Sequence, residues 1–493
     1  MSVAASFFVQ GVDQARRDAA AAVADGARLL ELRLDRAPEL DFAALVEGMP
    51  LPVIAACPLA SENGAFAGGP SARLDRLAAA ARGGAAFLDL PHAGQGDDDP
   101  GFERLPDGPW RAVRSWHEAE GERRDLRPVL DRIETSLRPG DVAKIVAWAA
   151  TEPDSWRVYP LGQQATAPLI AFAQGPGGRT SRLWAPALGA PWVYASLGGA
   201  PTAPGQWTTA EMAAALPEAG AAAGAPLYAV VGNPVDHSRS PLLWRRALRG
   251  AGLAGVYGRI EPPPDGFRRF LRAHRHPAFR GFSVTAPFKA DALACADEAD
   301  PGAARVGAAN TLQRLDRGWR AWNTDGPAAM DSLAAAGAPG DGPLLVLGAG
   351  GAAAAVVCEA VRRGHPVVVS ARRPEAAEGL ASRFGARAVP LEGLPVSEFP
   401  LVVQATPVGS SMREGNLLFD NPLGVGNYLL EMIYQPATTA LSRESALRGA
   451  VVVGGAEMLL RQMLAQFRIL TGADADPVPL RAALAASLVE AGP

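Results

Sequence analysis

Cysteine is scarce. The chain has three in 493 residues, Cys57, Cys295 and Cys358, widely separated and without a CxxC pair. That spacing argues against a disulfide framework and a cysteine-rich zinc site, so no metal is expected, and it predicts a reducing cytoplasmic location. No charge of one sign prevails: 47 Lys+Arg against 51 Asp+Glu leaves −4. A general nucleic-acid binder, or a protein held on an acidic membrane, usually shows a basic excess, so neither partner is expected. Long apolar runs are missing too. The longest, Leu344 to Cys358, is short for a spanning helix and is broken by Gly348, Gly350 and Gly351. The first residues, MSVAASFFVQGVDQARRD, lack the basic-then-apolar order of a signal peptide.

Apolar residues are plentiful, at 48% hydrophobic against 20% charged, enough for large cores. At roughly 150 residues per domain, the length predicts two to four domains. Gly (54) and Pro (43) are over-supplied without any collagen-like period. They mark turns in a loop-rich globular chain, or places where backbone approaches a ligand.

Short apolar runs alternate with Ala-rich helical stretches from the start. Strands are predicted at Phe7–Gln10, Arg28–Asp35, Val53–Cys57, Ala86–Leu90, Ala112–Trp116, Val142–Trp148, Leu169–Ala173 and Trp192–Ser196, with helices such as Ser71–Gly84 and Leu126–Leu137 between them. Strands apolar throughout and separated by helices imply a parallel sheet covered on both faces. Eight such units predict a closed N-terminal (β/α)8 barrel over 1–218, with an open doubly wound sheet as the alternative. An Ala-rich stretch then ends in a linker, 219–226.

A second α/β pattern follows, with strands at Tyr228–Gly232, Val256–Ile260, Gly281–Thr285 and Thr311–Leu315. The segment PLLVLGAGGAAAAVVCEAVRRGHPVVVSARR reads as strand, glycine turn, helix and strand, the outline of a dinucleotide-binding unit. Glycine permits the tight turn and lets a pyrophosphate settle on the helix N-terminus. Gly348, Ala349, Gly350, Gly351 and Ala352 are the expected contacts. An NAD site would place a carboxylate after the second strand, whereas this chain has Arg372 and Arg373, which suit a 2′-phosphate. The expected cofactor is NADP(H). A strand at Ala450–Val453 and a helix at Ala456–Leu470 complete the half.

Three further segments of this half carry polar residues that a plain core would not need: His237-Ser238-Arg239-Ser240-Pro241, Ser283-Val284-Thr285-Ala286-Pro287-Phe288-Lys289, and Asn310-Thr311 with Asn323-Thr324-Asp325 around a hairpin at Asp316-Arg317-Gly318. Together they resemble the shikimate dehydrogenase family over nearly all of 227–493. The resemblance implies that Ser238 and Ser240 bind the substrate carboxylate and that Lys289 and Asp325 form the catalytic pair. Thr285, Asn310 and Gln462 join the substrate site, and Thr406 the cofactor site. It also implies a two-lobed α/β module: a shikimate-binding lobe, 227–335 plus 456–493, and a Rossmann-type NADP-binding lobe, 336–455. Ser283 stands where many members have Asn, and Gln404 replaces a usual Asn.

In the first half, Lys144 interrupts the apolar run Val142–Ala147, and His117 closes the preceding strand. An interior lysine is costly unless it is paired or deprotonated, and a desolvated amine suits Schiff-base catalysis. With Glu31, Arg33, Arg182 and Thr202–Gln206 also near strand ends, this half resembles type I 3-dehydroquinate dehydratase over about 5–215. That resemblance implies an imine on Lys144, proton abstraction by His117, hydroxyl contacts from Glu31, Arg33 and Glu62, and a carboxylate site at Arg182, Thr202 and Gln206. The family usually has Arg after the third strand where this chain reads Cys57-Pro58, and an acidic residue where it has Pro91.

The two halves point to a bifunctional shikimate-pathway enzyme acting on 3-dehydroquinate, 3-dehydroshikimate and shikimate, as monomer or homodimer. The two proline departures leave an alternative open. In it a shikimate or quinate/shikimate dehydrogenase carries a weak, repurposed or non-catalytic barrel.

Overall fold

The computed structural model describes residues 2–62, 64–92, 104–198, 201–217, 223–411, 413–417 and 419–490. Residues 219–222 of the predicted linker lie outside them. Packing divides the chain into two units. One is Met1–Tyr228 with Ala254–Pro262 and Arg269–Phe279; the other is Ala229–Leu253, Pro263–Arg268 and Arg280–Pro493.

The first unit is built on eight strands: β1 (Ser2–Phe8), β2 (Leu29–Arg33), β3 (Val53–Ala56), β4 (Phe87–Pro91), β5 (Arg111–His117), β6 (Val142–Trp148), β7 (Leu169–Gln174) and β8 (Trp192–Ser196). They hydrogen-bond in the order β7-β6-β5-β4-β3-β2-β1-β8, and every ladder in the series is parallel. The eight parallel strands of the expected barrel are present, but among the described residues no ladder joins β7 to β8. β1 also begins earlier than the Phe7–Gln10 expected. Ala4 and Ala5 are weak strand formers alone, yet both are fully buried in ladders with β2 and β8. Pairing on two sides overrides their propensity.

Helices cover the strands by ordinary amphipathic logic. In Leu126–Thr135, Leu126, Val129, Leu130 and Ile133 are buried at helical spacing, and the Asp125 carboxylate accepts the Arg127 N–H at 3.1 Å as N-cap. Burying each such aliphatic side chain stabilises by roughly 1.5–3 kcal/mol.

The second half holds two six-stranded sheets. The first comprises β9 (Leu227–Val231), β10 (Val256–Ile260), β11 (Phe279–Val284), β12 (Glu298–Ala299), β13 (Thr311–Arg314) and β14 (Trp319–Trp322), in the order β10-β9-β11-β13-β14-β12. β13 and β14 are the expected hairpin, antiparallel with Thr311 opposite Trp322. The second sheet comprises β15 (Leu344–Leu347), β16 (Val367–Ser370), β17 (Arg387–Ala388), β18 (Leu401–Gln404), β19 (Tyr428–Glu431) and β20 (Val451–Val453). Its order is β17-β16-β15-β18-β19-β20 and it is wholly parallel. This is the dinucleotide-fold order, with the direction of winding reversing between β15 and β18. The helix Gly351–Arg362 buries an alanine- and valine-rich face, Ala353 to Val357, against this sheet. Among the described residues, no helix is long and apolar enough to cross a membrane.

Candidate active sites

The strand ends of the first unit surround a cavity of about 1260 Å³. Lys144, on β6, points into it and is almost wholly buried. Its Nζ donates to Asp89 Oδ2 at 2.7 Å, lies 3.8 Å from Glu31 Oε1 and sits 4.5 Å from the centroid of the Tyr194 ring. Of the two ways an interior lysine can be tolerated, the structure shows pairing. Burial, the largest influence, favours the neutral amine. Asp89, then Tyr194 and Glu31, outweigh it and raise the ammonium above its usual range. Asp89 answers in kind. Burial opposes its ionisation, but Lys144, with a 2.5 Å bond from Ser115 Oγ, holds its carboxyl low.

His117 ends β5 at the cavity wall. Burial and the Lys144 charge push its imidazole down to about 3, so the ring is neutral at neutral pH. Glu31 accepts a bond from Ser6 Oγ, and that hydroxyl also contacts Thr202 Oγ1 at 2.7 Å. Arg33 forks onto Asp35 at 2.8 and 2.9 Å and reaches Thr202 O at 3.2 Å.

Glu31, Arg33, Glu62, His117, Lys144 and Thr202 therefore line one cavity. Arg182 and Gln206 are not part of its wall. Gln206 Oε1 braces the loop by accepting the Thr202 and Ala203 N–H groups at 2.8 and 3.1 Å. Arg182 is fully buried, with Nη2 on Pro204 O at 3.3 Å, and burial lowers its guanidinium to about 9.

Sequence reasoning missed Asp89, Ser6, Ser115 and Tyr194. For Asp89 a signal existed: a carboxylate inside the apolar run Phe87-Leu88-Asp89-Leu90 is as anomalous as the lysine in β6.

The second unit holds a cavity of about 200 Å³, lined among others by Ser238, Ser240, Thr285, Lys289, Asn310, Asp325 and Gln462. Lys289 opens the helix Lys289–Cys295, and its Nζ donates to Asp325 Oδ2 at 2.6 Å. Asp325 opens another helix, Asp325–Ala335, and its N–H bonds Asn323 Oδ1 at 3.0 Å. Asn310 Nδ2 donates to Asp325 Oδ1 at 2.8 Å and approaches Gln462 Oε1 at 3.4 Å. Ser283 has a positioning contact: its hydroxyl donates to Gln466 Oε1 at 2.8 Å, and Gln466 Nε2 bonds Asn310 O at 3.0 Å. All substrate-site residues expected in this half come together.

The glycine turn follows β15, where the winding of the parallel six-stranded sheet reverses. Gly348 has φ +122°, and a Cβ there would lie 3.0 Å from Ala405 O, so the turn requires glycine. Added Cβ atoms at Gly350 and Gly351 would meet nothing within 4 Å, leaving the helix N-terminus approachable by a pyrophosphate. Arg372 and Arg373 are exposed just past β16, and no ion pair engages them among the described residues. This arrangement fits a phosphorylated dinucleotide. Gln404 has a definite role: its Oε1 accepts the Thr406 N–H at 2.6 Å, and Nε2 bonds Thr406 O and Val408 O at 3.2 Å. It shapes the turn that carries Thr406.

Glu431 ends β19, buried, one residue before Met432 of the second cavity. Burial pushes its carboxyl from 4.5 up to about 7, although Thr439 Oγ1 and the Ile433 N–H both bond it. The folded state thus favours the protonated form. That contribution is complete below about 4.5 and is lost as pH rises through about 7. Thermal unfolding across this window should show Glu431→Gln losing less stability with rising pH than the parent. The difference should be on the order of 3 kcal/mol. Parallel pH profiles for the two proteins would refute the assignment.

Comparison with known proteins agrees with this division. Residues 3–222 match the type I 3-dehydroquinase family, and residues 230–312 match the shikimate dehydrogenase substrate binding domain. The bifunctional 3-dehydroquinate dehydratase/shikimate dehydrogenase, chloroplastic, of Arabidopsis thaliana is 29% identical over 474 residues, covering 91% of this chain and 78% of its own. A shikimate dehydrogenase (NADP(+)) of Thermus thermophilus is 40% identical over 250 residues, 51% of this chain and 94% of its own. The crystal structure of shikimate 5-dehydrogenase from Thermus thermophilus in complex with shikimate superposes with a TM-score of 0.50 at 38% identity, covering 54% of this chain and 99% of that one. The chain belongs to the shikimate dehydrogenase family and carries, fused ahead of that module, a type I 3-dehydroquinase domain.

Proposed function

We propose that this bifunctional enzyme dehydrates 3-dehydroquinate at Lys144 and reduces the resulting 3-dehydroshikimate to shikimate at Lys289. One observation carries the reading. The chain has only two lysines among its 47 basic residues, and each is paired with a buried aspartate inside one of the two cavities.

In the barrel, Lys144 Nζ first gives up the proton that Asp89 stabilises, then attacks the C3 carbonyl carbon. Loss of the carbonyl oxygen as water leaves a C=N bond that withdraws electrons from C2. His117 takes the C2 proton, the adjacent C–O bond breaks and the hydroxyl leaves as water with a proton. Hydrolysis of the imine then frees Lys144. Glu31, Arg33, Glu62 and Thr202 bind the ring, with Arg182 and Gln206 supporting the loop that carries Thr202.

In the second unit, NADPH is the source of hydride. Lys289 gives a proton to the carbonyl oxygen, and Asp325, tied down by Asn310, keeps the ammonium in place. Ser238 and Ser240 take the substrate carboxylate, while Thr285, Asn310 and Gln462 take hydroxyls. Gly348 to Ala352 and Thr406 border the dinucleotide, and Arg372 with Arg373 read its 2′-phosphate. Three free cysteines fit a reducing, cytoplasmic setting.

The purified protein alone should convert 3-dehydroquinate and NADPH to shikimate and NADP+. Turnover of 3-dehydroshikimate without turnover of 3-dehydroquinate would establish instead the dehydrogenase with a non-catalytic barrel. Joint replacement of Arg372 and Arg373 by Ser should raise KM for NADPH about tenfold or more and leave NADH use nearly unchanged. Equal use of both cofactors by the parent enzyme would remove the two arginines from cofactor selection.

A further inference from the structure

One guanidinium in the barrel cavity has no assigned role. Arg73 lies in the helix Pro70–Arg82, away from the strand ends that carry the other site residues, yet its side chain is 6% exposed and lines the cavity. Its Nη1 donates to both oxygens of Glu62, at 2.7 and 2.9 Å. Nε has no hydrogen-bond partner and Nη2 makes no hydrogen bond among the described residues. Nε–H and Nη2–H form the edge of a guanidinium that can grip one or two oxygens at once.

Two other cations of this wall are also engaged by a carboxylate, Arg33 by Asp35 and Lys144 by Asp89. Arg73 differs in reaching from a helix, to fix a carboxylate in the short turn Ala60–Glu62, which begins two residues after Pro58. Proline offers no side-chain donor, so the wall after β3 has no hydrogen-bonding group of its own at that position. Arg73 and Glu62 place a donor beside an acceptor, the combination that recognises the hydroxyl of a polyhydroxylated ring.

We propose that Arg73 is a substrate-binding residue of the barrel site. It donates to a ring hydroxyl oxygen while holding Glu62 to accept from the same edge of the ring, and it supplies from the helix the guanidinium that position 58 lacks. This rests on the barrel being a dehydratase site.

Arg73→Ala should raise KM for 3-dehydroquinate about 10- to 100-fold, with a smaller change in kcat and with shikimate oxidation unaltered. Pro58→Arg in the Arg73→Ala background should restore part of the lost affinity. Arg73→Lys keeps the charge on Glu62 but loses the fork, so its KM should also rise; it decides the matter if Arg73→Ala impairs both activities by misfolding. An unchanged KM in a folded Arg73 variant overturns the assignment. A parent enzyme that fails to turn over 3-dehydroquinate at all overturns the dehydratase reading itself, and this assignment with it.

Discussion

With Lys144 replaced by Ala, dehydration of 3-dehydroquinate should fall by roughly 10⁴- to 10⁶-fold, the range seen when a covalent nucleophile is removed. Shikimate oxidation in the same protein should be unchanged. The physical basis is that nothing else on the wall can form the electron sink: His117 is a base, and the remaining cations of the wall are arginines. Borohydride added during turnover should reduce the imine and add mass to the parent enzyme. Because the other lysine sits in the second unit, the peptide bearing Lys144 is the expected carrier, and the label should vanish in Lys144→Ala. Removing one partner of a buried pair leaves Asp89 uncompensated, which typically costs about 3–5 kcal/mol. Lys144→Met combined with Asp89→Asn avoids that penalty. Substantial dehydratase activity in the double variant would exclude the imine route.

Lys289→Ala is the second large effect. Its kcat for 3-dehydroshikimate reduction should drop by about 10²- to 10⁴-fold, the usual contribution of a positioned proton donor, with KM for NADPH nearly constant. Asp325→Asn should lower kcat in the same direction, because the bond at 2.6 Å aims the ammonium into the cavity. Dehydration of 3-dehydroquinate should be untouched in both variants, which makes each half the folding control for the other. A Lys289→Ala enzyme with normal kcat would remove Lys289 from the proton transfer.

Much of this architecture is legible in the residue pattern. The runs Val142–Trp148, Trp192–Ser196 and Val256–Ile260 begin and end as strands where their apolar pattern says they should. They are mostly buried, so pattern and environment coincide. The glycine turn at Gly348 and the hairpin at Gly318 are equally readable, since φ there is +122° and +80° and the residue type states the conformation. β1 starts earlier than its pattern suggests because Phe7 and Phe8 dominate Ala4 and Ala5, whose burial depends on neighbours from β2 and β8.

Sequence alone determined the chemistry on offer: two lysines among a mass of arginines, a histidine at a strand end, and a glycine turn followed by paired arginines. These are local facts, and each residue type restricts what it can do wherever the fold puts it. Tertiary structure decided the partners. Lys144 meets Asp89 from 55 residues away and Lys289 meets Asp325 from 36. Arg73 turns inward to Glu62, whereas Arg182 and Gln206 stand behind the wall rather than in it. No periodicity encodes such pairings, because a buried charge is tolerated only where packing of separate strands brings its counter-charge within reach.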